Sequence, residues 1–82
     1  MARILYFSTL VDKVGCSSEE VALPESVTDV RALLAWLRAR GGNWENALRE
    51  DAVRVTVNRQ FAEAGTAVND KMEIAIVPAR PG

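Results

Sequence analysis

The sequence contains no histidine and a single cysteine, Cys16, among its 82 residues. Without histidine the chain lacks the commonest general base and the commonest protein ligand for metal ions. A Cys–His nucleophilic pair is excluded within the chain, and Cys16 cannot form an internal disulfide. We therefore predict no metal site, and the cysteine content is typical of a protein from a reducing compartment.

The sequence also lacks a strong excess of either charge and any long apolar run. Ten basic and eleven acidic residues leave a formal net charge of −1, whereas nucleic-acid-binding surfaces need a basic excess. The longest apolar runs, Ile4–Phe7 and Ala32–Leu37, fall far short of the roughly 20 residues that span a bilayer. The apolar run that follows Met1-Ala2-Arg3 is too short for a secretory signal, so we expect none. We expect a cytoplasmic protein that binds neither nucleic acid nor membrane.

Length and composition indicate one small globular domain. Apolar residues make up 49% of the chain and charged residues 26%, which is ordinary for a folded protein. We predict a single domain over residues 1–77, followed by an extended functional tail over residues 78–82. Pro78 and Pro81 favour an extended tail, and Gly82 has no side chain, so its carboxylate can enter a narrow slot. The alternative is an unstructured stub, the default for chain termini.

Short apolar or alternating segments predict about five strands. The predicted strands are residues 2–7, 19–23, 53–58, a short edge strand at 60–62, and 72–77. The first and last strands are the most apolar. We therefore place them side by side and parallel in the middle of a mixed sheet.

The clearest helical pattern covers residues 28–40. Its apolar positions follow the spacing of an amphipathic helix, at Val30, Leu33, Leu34 and Leu37. Thr28 is a suitable N-cap. Residues 8–14 are predicted to form a short helix or turn, and residues 43–50 a further helical turn. The predicted fold class is α+β, with a mixed sheet of about five strands packed on one long helix.

Three candidate chemical features each have a simpler interpretation. Cys16 lies beside acidic residues, which raise a thiol pKa, so an incidental role is favoured over a nucleophilic one. The carboxylates show no metal-loop spacing and suit a solvated surface. Phe61 follows a polar trio, Asn58-Arg59-Gln60, where the chain should reach the surface. It is interpreted either as a partner contact or as a cap on the core.

Five segments, in their order and spacing, resemble one known family. They are Ile4-Leu5-Tyr6-Phe7, residues 10–15, the helix at 28–37, Val57-Asn58-Arg59-Gln60, and residues 72–78. Together they are similar to the MoaD family, the small subunit of molybdopterin synthase. This resemblance implies a β-grasp fold similar to that of ubiquitin, and a function as a sulfur carrier.

The resemblance implies chemistry at the chain terminus rather than at a side chain. In that family an E1-like, MoeB-type enzyme uses ATP to adenylate the carboxylate of the C-terminal glycine, here Gly82. Sulfur then converts the transient acyl-adenylate to a thiocarboxylate. The tail inserts into a MoaE-type large subunit and donates sulfur to cyclic pyranopterin monophosphate, which forms the dithiolene of molybdopterin. The carrier itself needs no catalytic side chain and no permanently bound cofactor.

The resemblance also implies the partner contacts. Val11, Phe61 and Val77 fall where the family presents an apolar patch to the MoeB-like and MoaE-like partners. The inserted tail would be lined by Pro78, Arg80 and Pro81. In this family two carriers and a dimer of large subunits form a heterotetramer.

One departure and two alternatives stay open. The family usually ends Gly-Gly, whereas this sequence ends Pro81-Gly82. Either Pro-Gly replaces that pair, or a final glycine follows. Two alternatives to the hypothesis of a molybdopterin synthase subunit stay open. One is another thiocarboxylate carrier, of the thiamine thiazole type, and the other is a non-catalytic β-grasp binding module that uses the surface around Phe61.

Overall fold

The structure is a computed structural model and describes residues 1–79. Its elements are β1 (Ala2–Tyr6), α1 (Thr9–Val14), β2 (Ser18–Val21), α2 (Val30–Arg38), α3 (Asn43–Ala47), β3 (Val53–Val57), β4 (Gln60–Ala62) and β5 (Glu73–Pro78). All the predicted strands are present, with ends that differ by at most two residues. The segment predicted as a helix or turn at residues 8–14 is a helix, and β5 continues one residue past its predicted end.

The prediction of one long helix is wrong. The helix α2 has nine residues, and two shorter helices accompany it. Asp29 is the N-cap, because its side chain accepts a hydrogen bond from the Ala32 amide at 2.8 Å. Thr28 lies before the helix, where its carbonyl accepts a hydrogen bond from the Val68 amide at 3.0 Å. This contact with a distant loop shortens the helix. No helix within residues 1–79 is long and apolar enough to cross a membrane.

The strands form one sheet in the order β2-β1-β5-β3-β4. The central pair, β1 and β5, is parallel as predicted, and the other neighbours are antiparallel. One face of the sheet is buried through Ala2, Ile4, Tyr6, Val53, Val55, Val57, Ile74 and Ile76. The predicted stripe of α2 belongs to the same core. Each fully buried aliphatic side chain contributes about 1.5–3 kcal/mol. This α+β architecture is the expected β-grasp arrangement.

A polar and aromatic cluster joins the end of α2 to the sheet. The Tyr6 hydroxyl donates to Glu19 Oε2 at 2.7 Å, and Arg40 donates two hydrogen bonds to the same carboxylate, each at 2.9 Å. The Arg40 guanidinium lies 4.4 Å from the centre of the Trp44 ring and 5.7 Å from that of Trp36. Tyr6 meets Trp44 edge to face at 5.5 Å. The cluster thereby connects β1, β2, α3 and the segment after α2.

The cluster shifts the pKa values of its acidic groups in opposite directions. Burial and the hydrogen bond with Glu19 raise the pKa of Tyr6, so its hydroxyl stays protonated and donates. Burial alone would raise the pKa of Glu19. Hydrogen bonds from Arg40 and Tyr6 outweigh that effect, and the pKa of Glu19 falls below its ordinary value. The ionised carboxylate is therefore the form that the fold stabilises.

The shift at Glu19 predicts how stability depends on pH. Its folded-state pKa is lower than the unfolded value of 4.5, so its contribution is present above that pH and is lost as the pH falls through the folded value. We expect Glu19→Gln to lower the free energy of unfolding at neutral pH by about 1–3 kcal/mol. The variant should also lose less stability than the wild type on acidification. Urea unfolding at a series of pH values measures both effects, with the exposed Glu20→Gln as control; parallel pH profiles for Glu19→Gln and the wild type would contradict this.

Two tight turns share one unusual backbone conformation. Ser8 has φ 59° and ψ −134°, and Gly42 has φ 58° and ψ −134°. Each is the second residue of a turn closed by a hydrogen bond, from Leu10 to the Phe7 carbonyl at 3.1 Å and from Trp44 to the Gly41 carbonyl at 3.2 Å. This is the type II′ position that favours glycine. The serine therefore holds strained backbone where β1 leads into α1.

The matched turns allow a reciprocal test of that strain. Ser8→Gly should raise the free energy of unfolding by about 1 kcal/mol, because relief of about 1–3 kcal/mol of strain exceeds the entropy lost from a freer unfolded chain. Gly42→Ser should lower it by a similar amount. Chemical denaturation of both variants measures the pair. A Ser8→Gly protein less stable than the wild type would show that the serine side chain contributes more than its strain.

Candidate functional site

The second face of the sheet has no helix packed on it within residues 1–79 and is called here the open sheet face. Its middle row follows from the strand registers and consists of Ser18, Leu5, Ala75, Thr56 and Phe61, one residue from each strand. The three central members of this row are half-buried by their neighbours, whereas Phe61 is 73% exposed at the edge strand. A large aromatic side chain exposed on such a face is a candidate partner contact.

The open sheet face is most apolar where β5 ends. Val77 pairs with Arg54 across the antiparallel β3–β5 ladder. Phe7, which is 45% exposed, follows β1 and donates its amide to the Ile76 carbonyl at 3.2 Å. The Ala79 amide still donates to the backbone of the loop before β3, at 2.9 Å. The chain is thus held to the sheet up to its last described residue, next to these side chains.

The opposite end of the open sheet face is charged. The registers place Arg3 between Glu20 on β2 and Glu73 on β5. Alternating charges across neighbouring strands attract each other, although such exposed pairs contribute little stability. The face therefore has a polar end and an apolar end, and the C-terminal residues follow the apolar end.

A cavity of about 200 Å³ opens between α2 and the β3–β4 edge. Apolar side chains line most of it, namely Val30, Leu34, Val53, Val55, Phe61, Ala62 and Ala64. Glu50 and Arg54 add one charge of each sign at its lining. The Glu50 carboxylate already accepts a hydrogen bond from Arg31 Nε at 3.1 Å. The cavity extends the apolar surface of Phe61 around the sheet edge.

The structure brings together only part of the predicted partner site. Phe61 and Val77 both lie on the open sheet face, separated by β3. Val11 lies on α1, where it is half-buried against the core. Pro78 closes β5 opposite Val53. The predicted tail contacts Arg80 and Pro81, and the predicted reactive terminus Gly82, lie outside the described residues, so their roles stay predictions.

Several surface residues were missed from the sequence. Leu5, Phe7 and Ala75 extend the apolar surface, and Arg54 adds a cation beside Val77. Strand alternation was a usable signal, because Leu5 and Phe7 alternate with the buried Ile4 and Tyr6. The apolar character of β1 was instead interpreted as a sign of a central strand, which it also is.

Cys16 is half-buried and free, near the Tyr6–Glu19–Arg40 cluster. Burial and the charge of Glu19 raise the pKa of its thiol. The reactive thiolate is therefore scarce at neutral pH, which agrees with the incidental role favoured from the sequence. Within residues 1–79 no three carboxylate or thiol side chains converge as a metal-binding group.

The exposure of Phe61 predicts that its side chain is dispensable for folding. Phe61→Asp should lower the free energy of unfolding by at most about 1 kcal/mol, the span of strand preferences at such a site. Val55→Asp is the matched control on the neighbouring strand, where a charge enters the buried face and should cost more than about 3 kcal/mol. Urea denaturation measures both. A large loss in Phe61→Asp would identify Phe61 as part of the core.

The sequence matches the ThiS family over residues 4–82. No protein of curated function matches it. Among solved structures, it is similar to a Pyrococcus furiosus protein assigned as subunit 1 of a molybdopterin converting factor, at 22% identity and a TM-score of 0.76, covering 94% of each chain. It is also similar to two Haloferax volcanii proteins at 22% identity. For the HVO 2177 protein the TM-score is 0.79, with 99% of this chain and 84% of that one covered. For SAMP1 the TM-score is 0.68, with 99% and 97% covered.

Proposed function

Because the chain belongs to the ThiS family of ubiquitin-like sulfur carriers, we propose that it is the sulfur-carrier subunit of a molybdopterin synthase. The observation that supports a carrier is the position of β5. This strand brings the described chain to Ala79 at the apolar end of the open sheet face, where Phe7 and Val77 lie. A partner can therefore grip the fold by this surface while the chain end reaches its active site. The likeness to the Pyrococcus furiosus protein favours the molybdopterin pathway.

The proposed chemistry takes place at the Gly82 carboxylate. A carboxylate is a poor electrophile, so an ATP-dependent enzyme first joins it to AMP and releases pyrophosphate. A sulfur nucleophile then attacks the acyl carbon, and AMP leaves. The resulting thiocarboxylate is a soft nucleophile that transfers sulfur to cyclic pyranopterin monophosphate inside the large subunit, and two such transfers complete the dithiolene. The carrier supplies position and recognition, so the absence of histidine does not hinder it.

The proposal includes two protein partners and a compartment. A MoeB-like enzyme would adenylate the terminus, and a MoaE-like large subunit would receive the tail, with Pro78, Arg80 and Pro81 along the inserted segment. Val11, Phe61 and Val77 are the proposed apolar contacts. We place the protein in the cytoplasm, where a single unpaired cysteine stays reduced.

Two other outcomes belong to the same family chemistry. The likeness to SAMP1, small archaeal modifier protein 1, favours one alternative function. In this alternative the activated carboxyl is joined to another protein instead of carrying sulfur to a pterin. The family name itself allows the second, a carrier for the thiazole of thiamine. All three share activation at the terminus, so the acceptor distinguishes them.

Intact-mass measurement after activation tests the proposal. The protein is incubated with a MoeB-type enzyme, ATP and sulfide. We expect the mass increase of one sulfur replacing one oxygen, located in the last peptide. The product should then convert cyclic pyranopterin monophosphate to molybdopterin when a MoaE-type subunit is added. The mass of the untreated native protein also establishes whether a glycine follows Gly82.

Two variants control this experiment. Deletion of Gly82 should abolish the mass increase and leave the thermal unfolding curve unchanged, because the domain does not depend on its last residue. Cys16→Ser should retain the full increase, since the sulfur is placed on the acyl carbon and not on the thiol. A mass increase of one sulfur in the protein that lacks Gly82 would overturn the carrier proposal. A protein that gains the sulfur mass and yields no molybdopterin, but forms adducts with lysine amines, would favour the function of a protein modifier.

A further inference from the structure

Arg54 is a cation in an otherwise apolar part of the open sheet face. It lies on β3, pairs in register with Val77 and shares its face with Thr56. Arg54 is exposed to solvent. The ion pairs among residues 1–79 join Arg31 to Glu50, Arg40 to Glu19 and Arg49 to Asp51. Arg54 forms none of these, and its guanidinium has no hydrogen-bond acceptor within the described chain.

No carboxylate among residues 1–79 forms an ion pair with Arg54. The nearest charge that shares its cavity is Glu50, which Arg31 engages at 3.1 Å. The remaining lining of the cavity is apolar and includes the exposed ring of Phe61. The β3–β4 register, continued by one residue, places Glu63 across from Arg54, but the two form no ion pair. The charged ladder around Arg3 lies at the opposite end of the face. Within residues 1–79 the exposed guanidinium of Arg54 therefore has no protein partner.

Binding of a partner changes that environment. A protein that covers Val77 and Phe61 also removes water from the surface between these two residues, and that surface includes Arg54. A desolvated and unpaired charge is strongly unfavourable, whereas a guanidinium can hold a carboxylate with two parallel hydrogen bonds. A partner that buries this surface must therefore supply an acceptor with negative charge.

We propose that Arg54 is a specificity-determining contact, on which the enzyme that activates the C-terminus places an aspartate or glutamate carboxylate. The inference rests on the proposed function and adds the chemistry of the partner surface.

Steady-state activation kinetics test the role of Arg54. The assay is ATP–pyrophosphate exchange by a MoeB-type enzyme at increasing concentrations of the carrier. Arg54→Glu should raise the KM for the carrier about tenfold or more, because it places two like charges together in the interface. The kcat should stay within about twofold, since the proposed role of Arg54 is in binding the enzyme and not in the chemical step. Arg54→Lys, which keeps the charge but loses the planar fork, should fall between the wild type and Arg54→Glu.

The matched control is Arg59→Glu, which makes the same charge change at the turn between β3 and β4, toward the polar end of the face. It should leave KM within about twofold, apart from the weak long-range effect that added salt removes. Circular dichroism and thermal unfolding of each variant exclude misfolding. Equal KM values for Arg54→Glu and Arg59→Glu would overturn the inference while leaving the carrier function in place. A wild-type protein that supports no exchange at all would overturn the proposed function, and this inference with it.

Discussion

The parallel pairing of β1 and β5 is the constraint on which the rest of the structure depends. It brings the first strand and the last strand of the chain together in the middle of the sheet, so every other element is added to one side of this pair or the other. It buries Ile4 beside Ile74 on the helix-facing side and aligns Leu5 with Ala75 on the open side. A parallel pair requires a long crossover, and here the crossover includes α2, which covers the core face. The pairing also fixes the direction in which the chain end leaves the sheet, next to Phe7.

Strand alternation turns that pairing into two surfaces with different roles. The residues that point toward α2 are buried aliphatics and Tyr6, and they form the core of this small domain. The residues on the other side are only half-buried or exposed, and they run from the charged ladder around Arg3 to the apolar end near Val77. Because the same strands form both surfaces, the packing of the core also holds the backbone of the open sheet face in place. A carrier benefits from this, since a preorganised surface loses less entropy when it binds a partner.

The sequence predicted the parts of the fold that depend on local pattern. Alternation placed the strands, and helical spacing identified the buried face of α2, including Leu33 and Leu37. Features that depend on distant contacts were less accessible. The start of α2 is set by Asp29 and by the loop that holds Thr28, and the Tyr6–Glu19–Arg40 cluster joins three segments far apart in sequence. The candidate site divides in the same way. Phe61 is recognisable in the sequence as an aromatic residue after a polar trio. The neighbours of Arg54 on the adjacent strand follow from a strand register that no local pattern shows.

The proposed chemistry divides the labour between a carrier and its partners. A reaction at a terminal carboxylate needs ATP binding, sulfur delivery and acceptor binding, and each of these can be supplied by a larger protein. Under the proposed function, the small chain contributes discrimination, because more than one partner would recognise one surface. The proposed apolar contacts from Phe61 and Val77 would provide affinity but distinguish poorly among apolar partners. Arg54, a cation within that surface, adds a second requirement for binding. A partner without a matching carboxylate would have to desolvate Arg54 without compensation, so it would bind less tightly.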